Sequence, residues 1–99
     1  EFRRGACGNM PGCHTTDALA AIWAALEAGD EKGGRALFYR MLPLMNYERL
    51  YGIAVYKWIL QRRGLIARTT CRAPVAILDA DDLRELEIIM ADVEPMFSV

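Results

Sequence analysis

The sequence has no strong excess of charge of either sign. Its 99 residues include 12 Lys and Arg against 13 Asp and Glu, a net charge of -1, and acids are interspersed among the arginines. A nucleic-acid-binding surface needs a local basic excess, so we predict no nucleic-acid partner. No apolar run approaches the ~18 residues that a membrane-spanning helix needs, and we predict no membrane segment.

Cysteine is scarce and odd in number, with thiols at Cys7, Cys13 and Cys71. The opening residues 1–4, EFRR, lead into glycines and not into the apolar stretch of a secretory signal. We therefore expect reduced thiols and a cytoplasmic location. The chain begins without Met, and we expect it to be a piece of a longer protein.

The cysteines and the single histidine contain enough soft ligands for a zinc site. However, Cys7, Cys13 and His14 follow a Cys-x5-Cys-His spacing, which matches neither the close cysteine pair nor the paired histidines of structural zinc sites. We therefore predict no metal and no cofactor, and keep a thiol or metal site at this end as a third hypothesis. His14 is interpreted as a loop residue that helps to cap the first helix.

Apolar residues are more abundant than a domain of this size requires. They make up 54% of the chain, against roughly 45–50% in ordinary soluble domains. A chain of this length forms one domain and buries about two thirds of its unfolded surface at best. We therefore expect another subunit or missing sequence to cover the surplus, and predict self-association.

The apolar spacing predicts a first helix that begins near Thr15 or Thr16 and ends at Gly29. Either threonine can cap it, and Asp17 suits its positive N-terminal end. Residues at i, i+3, i+4 and i+7 form one apolar face: Leu19, Ile22, Trp23 and Leu26.

A second helix is predicted to start near Glu31, although the glycine pair at 33 and 34 weakens its first turn by about 1 kcal/mol per glycine relative to alanine. Pro43 is expected to kink it. With at most a short break, it continues into Leu50–Ile66, which is apolar on nearly every side. Such helices are usually buried, so we expect the rest of the chain to pack around this stretch. Gly64 is expected to end it in the left-handed conformation.

Lys57 lies in the apolar stretch between Tyr56 and Trp58. Burial could lower the pKa of its amine and allow it to form an imine. Long lysines more often lay their stems on apolar surface and keep the ammonium in water, and this is our interpretation of Lys57.

Residues 65–78 are predicted to cross the surface without regular structure, because Pro74 and a pair of threonines disfavour a helix. Asp79 is expected to cap a last helix, with Asp81 and Asp82 in its first turn. The three aspartates could also form a metal-binding cluster, but acids at a helix N-terminus are ordinary capping residues. An amphipathic stripe runs along this helix through Leu83, Leu86, Met90, Val93 and Phe97.

The glycine-rich stretch GACGNMPG, Gly5–Gly12, is typical of a short buried strand or a tight loop. Since no partner strand is predicted, we expect the residues before Thr15 to be irregular or loosely ordered. The isolated chain is therefore predicted to be mainly α. We expect a helical bundle of the last three helices, with the first helix packed against them or against a partner chain.

Three segments follow one another in a distinctive order: GACGNMPG, then RALFYRMLPLMNYERLYGIAVYKWILQRRGLI at residues 35–66, then CRAPVAILDADDLRELEIIM. Together they resemble the C-terminal end of the dihydrodipicolinate synthase / N-acetylneuraminate lyase family. The first is similar to the family's eighth barrel strand, and the stretch from Asp17 to Asp30 is similar to the helix after it. The other two resemble the long helical pair and the closing loop and last helix of the C-terminal extension.

The resemblance implies a (β/α)8 TIM-barrel enzyme with a helical C-terminal extension, commonly tetrameric. It divides the chain into a remnant of the last barrel strand and active-site-face loop at 1–14, the last barrel helix at 15–29, and the helical extension at 30–99. Family members are class I lyases. They form a Schiff base between a barrel lysine and pyruvate or another 2-oxo acid, and then condense, cleave or dehydrate.

Two substrate-binding positions carry over to the full-length parent. Met10 matches the apolar residue of the last strand that packs beside the imine, and Gly8 matches the glycine that precedes it. Residues 11–14 are expected to line the mouth of the site. Nothing in the chain matches the family's Schiff-base lysine, its proton-relaying tyrosine or its carboxylate-binding turn. The piece is therefore predicted to be catalytically silent, with no catalytic residue of its own.

These observations support two main hypotheses. The first is the C-terminal part of a Schiff-base lyase, synthase or dehydratase, in which this chain supplies structure and oligomer contacts. The second is a stand-alone helical bundle that works as an oligomerisation or interaction module.

Overall fold

A computed structural model of the protein describes residues 1–98. Within that range it contains four α-helices and no strand, which confirms the predicted mainly α fold. The helices are α1 (Thr16–Glu27), α2 (Glu31–Tyr51), α3 (Ile53–Arg62) and α4 (Ala80–Val93), and short 3-10 turns occupy Phe2–Arg4 and Glu94–Met96.

The core lies around α2, which contacts each of the other three helices. Its fully or nearly fully buried apolar side chains are Ala18, Ile22, Met41, Leu44, Val55, Ile59, Leu86, Ile89, Met90, Val93 and Met96. Every helix therefore contributes to one apolar cluster. Burial of each large side chain removes apolar surface from water and stabilises the fold by about 1.5–3 kcal/mol.

The prediction of one buried central helix over Leu50–Ile66 is wrong. The chain breaks at Gly52, whose φ of 54° and ψ of -126° lie outside the helical region, and α3 begins only at Ile53. Leu50 and Ile53 are 58% and 50% exposed. The α2 helix also runs unbroken through Pro43. The interruption therefore falls nine residues after the proline, and α2 rather than α3 organises the bundle.

The start of α2 explains its two glycines. The Asp30 side chain caps the helix by accepting a hydrogen bond of 2.9 Å from the backbone N–H of Gly33. Gly34 is buried where α2 meets α1, and a Cβ added there would lie 3.0 Å from Leu26 Cδ2. The absence of a side chain at Gly34 therefore allows the two helices to approach closely.

The α3 helix ends in the predicted left-handed turn. Gly64 has a φ of 73°, and its backbone N–H donates to the Gln61 carbonyl. The next N–H, from Leu65, reaches back to the Leu60 carbonyl. These two bonds form a Schellman motif, which satisfies carbonyls that the helix leaves open.

The predicted irregular crossing and the cap after it are both confirmed. Residues 65–78 contain no helix or strand, and Ile77 is 89% exposed. Asp79 then accepts hydrogen bonds from the backbone N–H groups of Asp81 and Asp82. The Asp82 carboxylate accepts one from the Asp79 N–H, which completes a capping box.

The predicted side-chain cap of α1 does not form. Thr15 occupies the N-cap position without a capping side-chain bond, because its hydroxyl points back to the Gly12 carbonyl at 3.4 Å. Asp17 lies in the first turn of α1, as predicted, where its Oδ1 accepts a hydrogen bond from the Ala18 N–H. Its carboxylate also binds Arg63, which follows α3.

Candidate functional site

Gly8 and Met10, the two predicted substrate-binding residues, lie in the irregular segment before α1. Both are exposed, and the Met10 side chain is 96% accessible. Nothing in the structure tests their role in a full-length parent, so it stays a prediction. The division of the chain at residues 14 and 29 also stays a prediction.

His14 follows this segment, and its side chain is completely buried. Its Nε2 lies 2.7 Å from Oε1 of Glu48 on α2. The imidazole stacks on the Tyr56 ring of α3, with centroids 4.1 Å apart and planes at 20°. His14 lies in the loop before α1, as predicted, but its side chain does not cap that helix. Its ring instead connects the entry of α1 to both α2 and α3.

The hydrogen-bond partners indicate the tautomer of His14. A carboxylate only accepts hydrogen bonds when it is ionised, so with Glu48 ionised the proton belongs on Nε2. Nδ1 is buried and has no hydrogen-bond partner among residues 1–98. Its edge of the ring is covered by Gly12, where an added Cβ would lie 2.4 Å from Cε1 and 2.7 Å from Nδ1. The backbone therefore packs on the ring so closely that Gly12 leaves no space for a side chain.

Arg63 joins the same cluster from the end of α3. Its Nη1 donates to the His14 carbonyl at 2.6 Å. Its guanidinium also binds both carboxylate oxygens of Asp17, at 2.5 and 3.2 Å, and lies 4.0 Å from the centroid of the Phe97 ring. One arginine therefore connects the entry of α1, the end of α3 and the C-terminal residues.

The environment of Asp17 lowers the pKa of its carboxyl group. Burial alone would raise this pKa, but the hydrogen bonds from the Ser98 N–H and the Arg63 guanidinium, together with the Arg63 charge, lower it by more. The Ser98 N–H lies 2.8 Å from Asp17 Oδ2. The carboxylate is thus ionised at neutral pH and holds the C-terminal segment as well as Arg63.

Lys57 does not belong to this cluster. As predicted, its ammonium lies at the surface, where it donates a hydrogen bond to the Thr70 carbonyl of the crossing segment. The chain's other lysine, Lys32, is exposed on α2. Neither amine is enclosed by the buried residues, so neither has the surroundings that activate a Schiff-base lysine.

The cysteines are free thiols, with Cys7 and Cys13 exposed and Cys71 half-buried. Within the described part of the chain, no group of three or more His, Cys, Asp or Glu side chains is arranged to hold a metal ion. The aspartates at the start of α4 instead cap that helix.

A groove of about 410 Å³ lies between the N-terminal turn and the crossing of α1 and α2. Its apolar lining includes Phe2, Ile22, Leu26 and Phe38. At the rim, Arg3 and Arg35 both bind the Glu31 carboxylate. The hydrogen bonds from these arginines hold the pKa of Glu31 below its ordinary value. The rim cations are thus already paired, and the groove mainly offers apolar surface.

Sequence reasoning did not identify the His14 cluster. Glu48 is 34 residues from His14 and Asp17 is 46 residues from Arg63, so neither pair has a spacing that a helix or a turn would produce. The signal that could have indicated this cluster was the presence of polar residues at the ends of two apolar helices. A histidine and an aspartate at the start of α1 and an arginine at a helix end are residues that require partners when buried.

The chain is 31% identical over 97 residues to L-2-keto-3-deoxyarabonate dehydratase of Azospirillum brasilense. The match covers 97% of this chain and 31% of the relative. The chain therefore spans about a third of the length of that relative. No protein-family model matches the chain, and no solved structure matches it.

This similarity extends over all four helices, because so little of the chain lies outside the match. Dehydration is one of the reactions that the sequence resemblance implies, so the relative's activity agrees with that expectation. None of the helices within residues 1–98 has the length and apolarity needed to cross a membrane.

Proposed function

We propose that this chain is the C-terminal part of a class I, Schiff-base-forming lyase or dehydratase of the dihydrodipicolinate synthase family. Its substrate would be pyruvate or a related 2-oxo acid. The observation that carries the proposal is the 31% identity to a 2-keto-3-deoxy acid dehydratase over nearly the whole chain. On this proposal the remaining two thirds of the enzyme supply the rest of the barrel, including the strand that holds the reactive lysine.

The order of elements supports this assignment. A glycine-rich segment is followed by one helix, a long helical pair with a single break at Gly52, an irregular crossing and a last amphipathic helix. This is the order that the resemblance implies for the end of the barrel and its extension. The His14 cluster adds a physical connection between the two parts, because it links the residues before α1 to α2 and α3.

The chain by itself is catalytically inactive under this proposal. An imine-forming lysine needs a neutral amine next to a substrate pocket. Lys57 donates to a backbone carbonyl at the surface, and Lys32 is exposed. What this part of the enzyme contributes is structure and subunit contacts, together with Gly8 and Met10 beside the bound substrate.

Borohydride trapping tests the assignment directly. The 99-residue chain and the longer protein encoded by its complete reading frame are each incubated with pyruvate and sodium borohydride, and their intact masses are compared. We expect a reduced adduct on the longer protein, at a lysine outside this chain, and none on the 99 residues. An adduct at Lys57 would contradict the proposal, and so would a longer protein that lacks a barrel.

A second candidate function is a stand-alone oligomerisation or interaction module. It is favoured by Phe38, Leu42 and Met45, which follow one another at helical spacing on α2 and are 37%, 43% and 36% exposed. A strip of this kind is typical of a helix that packs on another surface. Analytical ultracentrifugation of the chain and of Leu42→Glu tests it, with Lys32→Glu as a control. Association that only Leu42→Glu abolishes would support the module.

A further inference from the structure

His14 connects the segment before α1 to the helical extension. Within the part of the chain that the structure describes, it makes all the side-chain hydrogen bonds and ring contacts between residues 5–14 and helices α2 and α3. Its ring edge meets Glu48 of α2 and its ring face meets Tyr56 of α3. Its backbone carbonyl accepts a hydrogen bond from Arg63. Glu48 thus holds the edge of the imidazole, Tyr56 holds its plane, and Arg63 holds the backbone of His14.

We propose that His14 is a positioning residue for the substrate-binding segment that carries Gly8 and Met10. By binding Glu48 and stacking on Tyr56, it holds the substrate-binding segment in a fixed position relative to α2 and α3. This inference rests on the proposed function, since the role of Gly8 and Met10 comes from there. His14 itself is completely buried, so it acts through the chain before it rather than by touching substrate.

The chain between Met10 and His14 is short and constrained. Four residues extend over at most about 14 Å, and Pro11 fixes its own φ near -65°. Gly12 packs against the imidazole so closely that an added Cβ would lie 2.4 Å from it. A fixed imidazole therefore leaves the backbone before it few conformations, and Met10 is restricted with it.

The charges around His14 favour one arrangement of the ring. Glu48 accepts from the edge, Tyr56 presents a neutral ring to the face, and the charge of Arg63 is compensated by Asp17. An apolar residue at position 14 could fill the same volume, but it would leave the carboxylate of Glu48 without this partner. Directional contacts of this kind determine orientation as well as packing.

The single histidine of the chain makes the anchor directly observable by NMR. In the native 99-residue protein, the ring current of Tyr56 should shift the His14 ring protons upfield. We expect Glu48→Ala to move them toward unshifted positions and to speed exchange of the Thr15 amide about tenfold, equivalent to ~1.4 kcal/mol. That amide reports on the segment because it donates to the Gly12 carbonyl at 3.1 Å.

Two further variants separate positioning from general stability. Glu48→Gln keeps a hydrogen-bond acceptor and should restore both signals, while Glu87→Ala removes an exposed ion pair with Arg62 and should change neither. If Glu48→Ala does not fold, Tyr56→Leu keeps apolar volume and removes only the stacked ring. The exchange rate of the Thr15 amide is then measured in Tyr56→Leu, where we expect it to increase. Unchanged Thr15 exchange in the folded variant would overturn the proposal.

The longer protein supplies the functional measurement. There, Glu48→Ala should raise KM for the 2-oxo acid about tenfold with kcat changed less than about threefold, as expected when binding geometry rather than chemistry is affected. A fall in kcat at constant KM would overturn the positioning role. Failure of borohydride trapping would refute the proposed function alone, because the NMR test on the 99 residues does not depend on catalysis.

Discussion

The guanidinium of Arg63 binds both carboxylate oxygens of Asp17, 46 residues earlier in the chain, at distances of 2.5 and 3.2 Å. Arg63 is the C-cap residue that follows α3, and Asp17 lies in the first turn of α1, so the pair connects two helices that are far apart in sequence. Their side chains are only 4% and 16% exposed. Water therefore screens this ion pair much less than the ion pairs at the surface.

Removing the arginine should destabilise the fold strongly. Arg63→Met keeps the aliphatic stem but leaves the Asp17 carboxylate poorly compensated, and we expect a loss of about 3–5 kcal/mol in the free energy of unfolding. The control is Arg62→Met, which removes more exposed ion pairs to Glu87 and Glu94 and should cost about 1 kcal/mol or less. Urea denaturation of both variants measures the difference, and equal losses would contradict the assignment.

The lowered pKa of Asp17 predicts a dependence of stability on pH. A carboxyl group whose folded pKa lies below its unfolded value contributes stability above the unfolded pKa and loses it as pH falls through the folded pKa. We therefore expect an acid-induced loss of stability below about pH 4, and a smaller loss in Asp17→Asn. Thermal unfolding at several pH values measures it. Asp92→Asn, at an exposed position on α4, should keep the full acid dependence of the wild type.

The close approach of α1 and α2 at Gly34 predicts intolerance of a larger residue. An added Cβ would lie 3.0 and 3.2 Å from Leu26 carbons, and Gly34→Val adds two methyl groups beyond it. Overpacking of this kind costs about 1–3 kcal/mol. Ala36→Val places the same side chain at an exposed position of the same helix, where only helix propensity of about 0.5 kcal/mol is lost. Similar thermal midpoints for the two variants would show that the crossing has room.

Tyr51 should titrate at unusually high pH. Its hydroxyl donates to Asp82 Oδ1 at 2.7 Å, and this hydrogen bond, with burial and the nearby negative charges, raises the pKa of Tyr51 to about 12. Because the folded pKa is raised, the associated stability is complete below the unfolded pKa and is lost as pH rises through the folded value. Absorbance titration should identify this step, and Tyr51→Phe should remove it, whereas Tyr47, whose pKa is raised chiefly by burial, should still titrate above the ordinary range.

Variants at the partner aspartate complete the titration experiment. Asp82→Asn removes the charge that faces the phenol and should move the Tyr51 titration toward the ordinary range. Asp81→Asn removes a neighbouring charge that makes no bond to the phenol and should leave the titration near its original pH. A Tyr51 step that stays near pH 12 in Asp82→Asn would contradict this account.

Features that depend on a few consecutive residues could be predicted from the sequence. The capping aspartate at Asp79, the left-handed glycine at Gly64 and the apolar stripe of α4 up to Val93 were placed correctly, whereas Phe97 lies beyond the end of α4. The stripe was predictable because residues three and four apart share one face of a helix. The apolar stretch 50–66 was misread because apolar composition favours burial without indicating which side has a partner, and Gly52 could equally have continued a helix.

By itself the sequence determined the helical character of this protein, the C-terminal end of α3 and the start of α4, since these depend on propensities and hydrogen bonds within one or two turns. Only the tertiary structure decided that His14 is buried against Glu48 and Tyr56, and that Asp17, in the first turn of α1, also binds Arg63. These contacts join residues 34 or more positions apart. They form because buried polar groups must find partners wherever packing of the apolar faces brings them together.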